Sequence, residues 1–386
     1  MRTPPLQLGQ SAISTRSRGS TRLDLILLVA ALLLPIADWL LGQVWQSTGL
    51  IDPMKSIFIY AILGLALNVV TGFTGLLHLG VAAFMAIGVY AFAILTADIY
   101  PFQLGFWPAL FLTLPIGAAA GFLLGAPTLG LRGDYLAIVT LGFGEIVQDV
   151  LKNLDTITKG TQGINPLPPP VVPLPASIAE RLGASGGWYE FQADTPVPWY
   201  YLYLFFLAIV VLANRNLERS RIGRAWMSVR EDDLASKAMG IPPVKTKLVA
   251  FATTAAIAAF AGGLWASSLS STGEPANYDF QVSILALCIV IVGGMGNISG
   301  VLVGAFVMIG VNDIVLQKLF GWMQTQGLTS TGSVFGSPNN WKFLLFGLAL
   351  VLMMRFKPDG LVPARMARGG QPAARKAESP RAGGAA

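Results

Sequence analysis

The stretch 218-ERSRIGRAWMSVREDDLASKAMGI-241 lies between two long apolar runs, and nine of its twenty-four residues are charged. Its second half carries the signals of a short helix: acidic residues at 231–233, Gly240 as a C-terminal cap and Pro242 beyond it. A helix of two turns is not stable alone in water. The segment must therefore pack on its own protein or on a partner.

The apolar side chains of this stretch indicate how it would pack. Ile222, Trp226 and Val229 of the first half are predicted to be exposed to a partner. Asp233 and Lys237 are spaced as an i,i+4 ion pair on the second half. The second half also presents a small apolar face, made of Leu234, Ala235, Ala238 and Met239.

The composition around this stretch is that of an integral membrane protein. Of 386 residues, 54% are hydrophobic and 12% are charged, whereas soluble domains carry about 25% charged residues. The apolar runs approach the ~20 residues of a membrane-spanning helix, which favours helices over the short alternating strands of a β-barrel. The sequence therefore predicts an all-α, polytopic membrane protein.

The domain organisation follows from the apolar runs. A tail of residues 1–22 precedes a transmembrane domain of residues 23–355, and a small, polar, basic tail of residues 356–386 is predicted to be disordered. Within the transmembrane domain lie a Pro-rich external loop at 153–198 and a cytoplasmic connection at 214–246. Ten spans are predicted, at residues 23–42, 56–75, 78–97, 107–126, 135–152, 199–213, 247–269, 281–297, 300–318 and 341–355.

The basic residues predict the orientation of these spans. Twenty of the 26 Lys and Arg residues fall in segments on one side of the membrane and six on the other. Because cytoplasmic loops are rich in basic residues, both termini and 218–241 are placed in the cytoplasm. The net charge of +6 is therefore interpreted as a topology signal, and no nucleic-acid partner is predicted. A cleaved signal peptide is the alternative for the N-terminal run, but no A-x-A-like site follows residues 23–41.

The segment 130-GLRGDYLAIVTLGFGEIVQDV-150 places carboxylates at membrane depth. If its helix begins near Asp134, Glu145 lies about 15 Å in, and Asp149 follows one turn later on the same face. Such carboxylates are costly and face a bundle interior or a watery path. Glu145 therefore lines a translocation path or holds a helix break; otherwise it is buried and bonded to neighbouring hydroxyl or backbone groups, or the span boundary lies elsewhere.

Four further polar residues in or beside the apolar spans are candidates for contact with a passing solute: Asn68, Thr71, His78 and Asn297. When each is considered alone, hydrogen bonding within the helix bundle explains it better than contact with a solute. Glycines at four-residue spacing, such as Gly117, Gly121 and Gly125, predict helix faces that pack closely.

The sequence lacks the residue patterns of common enzyme and metal sites. The single Cys288 and the single His78 exclude an intrachain disulfide and a multi-histidine site. No Gly-x-x-x-x-Gly-Lys-Ser/Thr loop, nucleophile–base pair or metal spacing occurs. We therefore predict no enzymatic activity, no cofactor and no metal, and a membrane-embedded enzyme is a remote alternative.

Four segments resemble one protein family. "GLRGDYLAIVTLGFGEIV" from Gly130, "SRIGRAWMSVREDDLASKAMGI" from Ser220 and "GGMGNISGVLVGA" from Gly293 are similar to signature segments of permease subunits of ABC importers for branched-chain amino acids, of the LivM type. "GLALNVVTGFTGLLHLGVAAFMAIGVYA" from Gly64 resembles the early segment of that family. The resemblance spans roughly residues 55–360 without the Pro-rich loop.

The resemblance implies a fold and an assembly. The fold would be all-α with two inverted-topology halves, in a bacterial inner membrane. A second homologous permease subunit, two cytoplasmic ATPase subunits and an external solute-binding protein would complete an importer for branched-chain or other amino acids. An ATPase-coupling role is carried onto Gly223, Arg224, Ala225, Arg230, Glu231, Asp232, Ala235 and Gly240.

Two departures from the family pattern leave the substrate open. The family often has serine where His78 stands and histidine where Val81 stands, and the Pro-rich loop is unusually long. A urea permease of the same fold is therefore one alternative. An ion-coupled secondary transporter, with Glu145 and Asp149 binding the cation, is another.

Overall fold

The computed structural model describes residues 34–35, 51–128, 133–173, 188–191, 196–326 and 338–363. Within these ranges the chain is mostly helical. The helices are α1 (Ile51–Asn68), α2 (Val81–Thr96), α3 (Phe106–Thr128), α4 (Gly133–Asn153), α5 (Asp155–Thr158), α6 (Pro196–Arg219), α7 (Arg221–Glu231), α8 (Asp233–Ala238), α9 (Pro243–Leu269), α10 (Phe280–Gly293), α11 (Ile298–Gly310), α12 (Gln317–Thr325) and α13 (Pro338–Phe356).

Shorter elements interrupt or join these helices. π-Helical turns continue α1 at Val69–Phe73 and α11 at Val311–Leu316. Turns of 3₁₀-helix lie at Gly160–Gln162 and Pro275–Tyr278. Two three-residue strands, β1 (Val171–Pro173) and β2 (Trp188–Glu190), pair antiparallel.

Six helical segments are long and apolar enough to cross a membrane: Ile51–Phe73, Phe106–Thr128, Pro196–Arg219, Pro243–Leu269, Pro275–Gly293 and Ile298–Met323. Val81–Thr96 and Leu344–Phe356 are shorter apolar helices. The prediction of a helical protein with several membrane spans is thereby confirmed. The predicted tail 1–22 and nearly all of the predicted span 23–42 lie outside the described residues.

Helix α9 is the centre of the bundle because small residues let α2 and α3 approach it closely. A Cβ atom added to Gly88 on α2 would lie 2.0 Å from the Ala259 carbonyl oxygen. One added to Gly117 on α3 would lie 2.5 Å from the Ala259 Cβ, and Gly121 meets Ala255 in the same way. The predicted close-packing role of this glycine face is confirmed.

The chain segments that follow α1, α10 and α13 meet at one end of the bundle, which we call the joint end (residues 69–75, 293–297 and 357–363). The Gly296 amide donates to Asn68 Oδ1 at 2.8 Å. After α13 the chain folds back, and the Val362 amide donates to the Gly293 carbonyl at 3.0 Å. The predicted disordered tail 356–386 therefore begins with packed residues, and its remainder from 364 lies outside the described residues.

The described part of the Pro-rich loop is tied to the opposite end of α9. The Ile164 amide donates to Thr272 Oγ1 at 2.8 Å, and the Thr272 amide donates back to the Ile164 carbonyl at 3.0 Å. The Trp107 indole donates to the Val171 carbonyl at 2.8 Å. These contacts fix the described part of the loop on the bundle.

Candidate functional site

The charged stretch 218–241 folds into two short helices, α7 and α8, with well-formed ends. Ser220 caps α7 by accepting a hydrogen bond from the Gly223 amide at 3.1 Å. Asp232 caps α8 by accepting from the amides of Leu234 and Ala235 at 2.7 and 3.0 Å. Gly240 follows α8 with φ +84°, a left-handed conformation that favours glycine, so the predicted C-terminal cap is confirmed.

The inner face of α7 packs on the bundle. Trp226 is fully buried, its ring stacks on Phe73 with centroids 6.4 Å apart, and its indole donates to the Thr246 carbonyl at 2.9 Å. Val229 is also buried, so the prediction that Trp226 and Val229 face a partner is wrong. They share one side of the helix, and α9 and the π-helical turn Val69–Phe73 cover that side. Of the three residues only Ile222 is exposed.

The apolar side of α8 is turned away from the bundle. Leu234 is 80% exposed and Met239 is 82% exposed. On the opposite side Ser236 is buried and its hydroxyl lies 2.7 Å from that of Ser228 on α7. The predicted apolar face of α8 is therefore confirmed, and it is exposed in the single chain. Asp233 pairs with Lys247 of α9, so the prediction that Lys237 is its ion-pair partner is wrong.

Two arginines of α7 differ in their surroundings. Both are exposed, and they differ in what they bind: the Arg224 guanidinium donates to the Arg219 carbonyl at 2.8 Å. Arg230 reaches the joint end, where its guanidinium donates to the Gly72 carbonyl and its aliphatic stem lies beside Gly75. The remaining residues predicted for ATPase coupling lie on the same helix pair: Gly223, Ala225, Glu231, Asp232, Ala235 and Gly240.

Gly223 occupies a position where no side chain fits. A Cβ atom added there would lie 2.2 Å from the Leu217 carbonyl oxygen. The turn from α6 into α7 therefore depends on this glycine.

Asn68 and Asn297, two of the residues predicted for the translocation path, hold backbone groups at the joint end. Asn68 is fully buried and accepts from Gly296, as described above. Asn297 caps α11 by accepting from the Ser299 amide at 3.1 Å, and its side-chain amide donates to the Val362 carbonyl at 3.0 Å. These bonds favour the helix-packing interpretation of both residues.

Thr71 and His78 are buried without polar partners among the described residues. The His78 ring lies between Phe84 and Phe251, with centroid distances of 5.5 and 5.1 Å. Burial lowers the pKa of His78 to about 3, so its imidazole is neutral near pH 7. A small apolar cavity beside it is lined by His78, Phe84, Leu124, Thr128, Val139, Thr140, Phe143 and Phe251.

Glu145 lies apart from these four residues, on the outer face of α4. It is exposed in the single chain, as is Asp149 one turn later. The alternative in which Glu145 is buried within this subunit is therefore wrong. The adjoining face of α4 packs on the bundle, where the Gln148 side-chain amide donates to the Pro275 carbonyl at 3.3 Å.

Sequence reasoning missed the partners of the charged stretch. Gly72 and Phe73 contact α7, and Lys247 contacts α8. For the contacts of Gly72 and Phe73 the only signal was the glycine-rich sequence of the joint at 72–75, since these contacts join residues more than 150 positions apart. Among the described residues, no group of three His, Cys, Asp or Glu side chains could hold a metal ion.

Comparison with known proteins gives the family. The family described as "Branched-chain amino acid transport system / permease component" matches residues 50–354. The high-affinity branched-chain amino acid transport system permease protein LivM of Escherichia coli (strain K12) is 40% identical over 355 residues, covering 89% of this chain and 76% of LivM. No solved structure matches.

More distant relatives match as well. The probable branched-chain amino acid transport permease protein LivM of Methanocaldococcus jannaschii is 29% identical, covering 66% of this chain and 69% of that protein. The autoinducer 2 import system permease protein LsrC of Enterobacter sp. (strain 638) is 25% identical, covering 72% and 74%. The profile match and the 40% identity over most of both chains agree, and the chain belongs to the family of branched-chain amino acid transport system permease components.

Proposed function

We propose that this chain is a membrane permease subunit of an ATP-driven importer for branched-chain amino acids and forms half of the translocation path. The relatives at 40% identity are named as branched-chain amino acid permeases, which favours these substrates over urea. One observation supports coupling to an ATPase. The apolar side of α8 is exposed, and the helix pair α7 and α8 contacts the joint end through Arg230.

The surface of α8 has the character of a protein-docking site. Leu234 and Met239 expose most of their side chains, and the charged residues Glu231 and Lys237 are exposed beside them. Large apolar side chains in a polar surround mark interaction sites, because burying each on binding stabilises the complex by about 1.5–3 kcal/mol. A cytoplasmic ATPase subunit would bind here, and its twin would bind the second permease subunit.

The outer face of α4 would meet the second permease subunit. Glu145 lies about 18 Å along the helix from Gly133, counted at 1.5 Å per residue, so it would stand at membrane depth with α4 as a span. A carboxylate at that depth does not face lipid. A second permease chain would therefore cover this face and leave a polar path between the two subunits, with Glu145 on its wall.

Two glycine-rich joints meet at the joint end. α1 and α10 each run into a glycine-rich joint, and α2 and α11 run out again, with the two joints meeting at the Asn68–Gly296 hydrogen bond. The family match supports the rest of the proposed topology, which is ten transmembrane helices in two inverted halves, in the inner membrane with both termini in the cytoplasm. The joint end would be cytoplasmic, and a solute-binding protein would deliver the amino acid at the opposite end, near residues 153–198.

In the proposed mechanism this chain does no covalent chemistry. Binding of ATP closes the ATPase pair, and the movement reaches the bundle through α7 and α8. Because these helices hold the joint end, the movement switches the path between outward and inward access.

Uptake of labelled leucine, a polar amino acid, proline and urea, in cells with and without this chain, tests the function. We expect leucine uptake to disappear on deletion and on ATP depletion. Loss of urea uptake alone would keep an importer and change its substrate. Uptake that survives ATP depletion and collapses with the ion gradient would overturn the ATP-driven mechanism.

A further inference from the structure

We infer that Arg230 is a positioning residue that links the ATPase-coupling helices to α1, and that the ATPase does not bind its guanidinium. The inference rests on the proposed function, because it assigns the route by which movement of α7 and α8 enters the bundle.

The Gly72 carbonyl is open to Arg230 because the helix changes type there. In a continuing α-helix the Leu76 amide would donate to Gly72. Instead both the Thr74 and the Leu76 amides donate to the Val70 carbonyl, at 3.2 and 3.4 Å. The guanidinium of Arg230 donates to Gly72 where that helical donor is missing. A charged donor makes this a stronger bond than a neutral one.

The aliphatic part of the Arg230 side chain packs against Gly75, where a larger residue would overlap it. Gly75 has φ +71°, and a Cβ atom added there would lie 2.9 Å from Arg230 Cγ. One turn earlier on α7, Trp226 stacks on Phe73. Helix α7 thus holds the end of α1 by an apolar stack and by one directional bond, and Arg230 supplies the directional bond.

From Gly72 the contact continues into the second joint. A Cβ atom added to Gly72 would lie 2.6 Å from the Gly296 nitrogen, so the two backbones touch. The Gly296 amide is itself bound to Asn68 on α1. A shift of Arg230 therefore reaches the turn between α10 and α11 through tightly packed backbone, without a long flexible side chain in between.

Arg224 provides a matched control on the same helix. It carries the same charge, is exposed, and bonds only to the nearby Arg219 carbonyl among the contacts described. Neutralising Arg224 changes the charge of α7 by the same amount and leaves the joint untouched. The two arginines therefore separate an effect of charge from an effect of position.

The test uses the complete importer, reconstituted in lipid vesicles with its ATPases and its solute-binding protein. Arg230→Met, Arg230→Lys and Arg224→Met are compared for ATPase co-purification, ATP hydrolysis and leucine uptake. We expect Arg230→Met to retain its ATPases and to hydrolyse ATP, while leucine moved per ATP falls by about 5-fold or more. Arg230→Lys should recover part of this ratio, and Arg224→Met should leave it unchanged.

The outcomes separate the inference from the function on which it rests. Loss of the ATPases from Arg230→Met, or an unchanged ratio of leucine to ATP, would overturn the positioning role alone. An equal loss of the ratio in Arg224→Met would also overturn it, because charge would then explain the effect. Wild-type uptake that needs no ATP would overturn the proposed function together with the inference.

Discussion

Polar residues at the joint end hold backbone groups that helix ends leave without partners. Asn297 caps α11 and binds the Val362 carbonyl, Asn68 binds the Gly296 amide, and Arg230 binds the Gly72 carbonyl. An unpaired backbone group costs free energy in an apolar interior, so each of these side chains stabilises a place where a helix stops or changes type. The side-chain amides of Asn68 and Asn297 are therefore explained by the backbone groups that they bind, without a contact to the transported solute.

His78 predicts an acid sensitivity of the folded chain. Its pKa is about 3 when folded and about 6.5 in an unfolded chain. Above pH 6.5 both states hold a neutral imidazole, and the stability is fully present. As the pH falls below 6.5, the His78 imidazole binds a proton in the unfolded chain but not in the folded chain. Folding is therefore weakened by about 2 kcal/mol at pH 5.

The measurement is the midpoint of thermal unfolding of the purified protein at pH 7.5 and pH 5. His78 is the only histidine in the sequence, so no other imidazole contributes. His78→Phe and His78→Leu, which suit the aromatic surroundings, should lose the drop between pH 6.5 and pH 5. A drop of the same size in wild type and in both variants would contradict the assignment.

Helices α7 and α8 show what a sequence pattern settles about an element and what it leaves open. The cap at Gly240 and the apolar side chains of α8 follow from local preferences, and both were predicted. The burial of Trp226 was not, because helical periodicity gives the faces of a helix but not which face its neighbours cover. The ion pair of Asp233 with Lys247 was missed for the same reason.

The exposed side of α8 predicts loss of ATPase binding without loss of folding. Leu234→Ser combined with Met239→Ser removes two large apolar side chains that the single chain leaves at least 80% exposed. The variant loses most of the apolar area that these two side chains would bury on binding. Binding of the ATPase should therefore weaken by about 3 kcal/mol, which is roughly 100-fold in affinity. Co-purification of the ATPases measures the effect, and the midpoint of thermal unfolding should stay unchanged.

Ile99→Ser is the control, since Ile99 is 56% exposed in the connection between α2 and α3 at the end away from α8. It should retain the ATPases. Equal retention by the α8 double variant would show that the docking surface lies elsewhere.

The class of the molecule, a helical protein with several membrane spans, was predictable because length and hydropathy are local properties of the chain. The meeting of the two joints was not predictable, since it pairs Asn68 with Gly296, 228 positions apart. The candidate path was likewise predictable only in part. Glu145 was predicted from sequence to lie at membrane depth, which stays a prediction, and its exposure on the outer face of α4 required the packed bundle.

That outer face predicts where the second permease subunit binds. A Cβ atom added to Gly142, one turn before Glu145, meets nothing within 4 Å. Gly142→Trp should therefore leave the single chain as stable as before while blocking a chain seated on α4. We expect the second permease subunit to be lost on purification and leucine uptake to fall with it.

The matched variant is Leu123→Trp on α3, because Leu123 is 73% exposed on a helix without charged residues, which can face lipid. It should retain the second subunit. If Gly142→Trp keeps that subunit as well as Leu123→Trp does, another face forms the dimer. The carboxylates of α4 would then need water within this chain alone, because lipid cannot accommodate them.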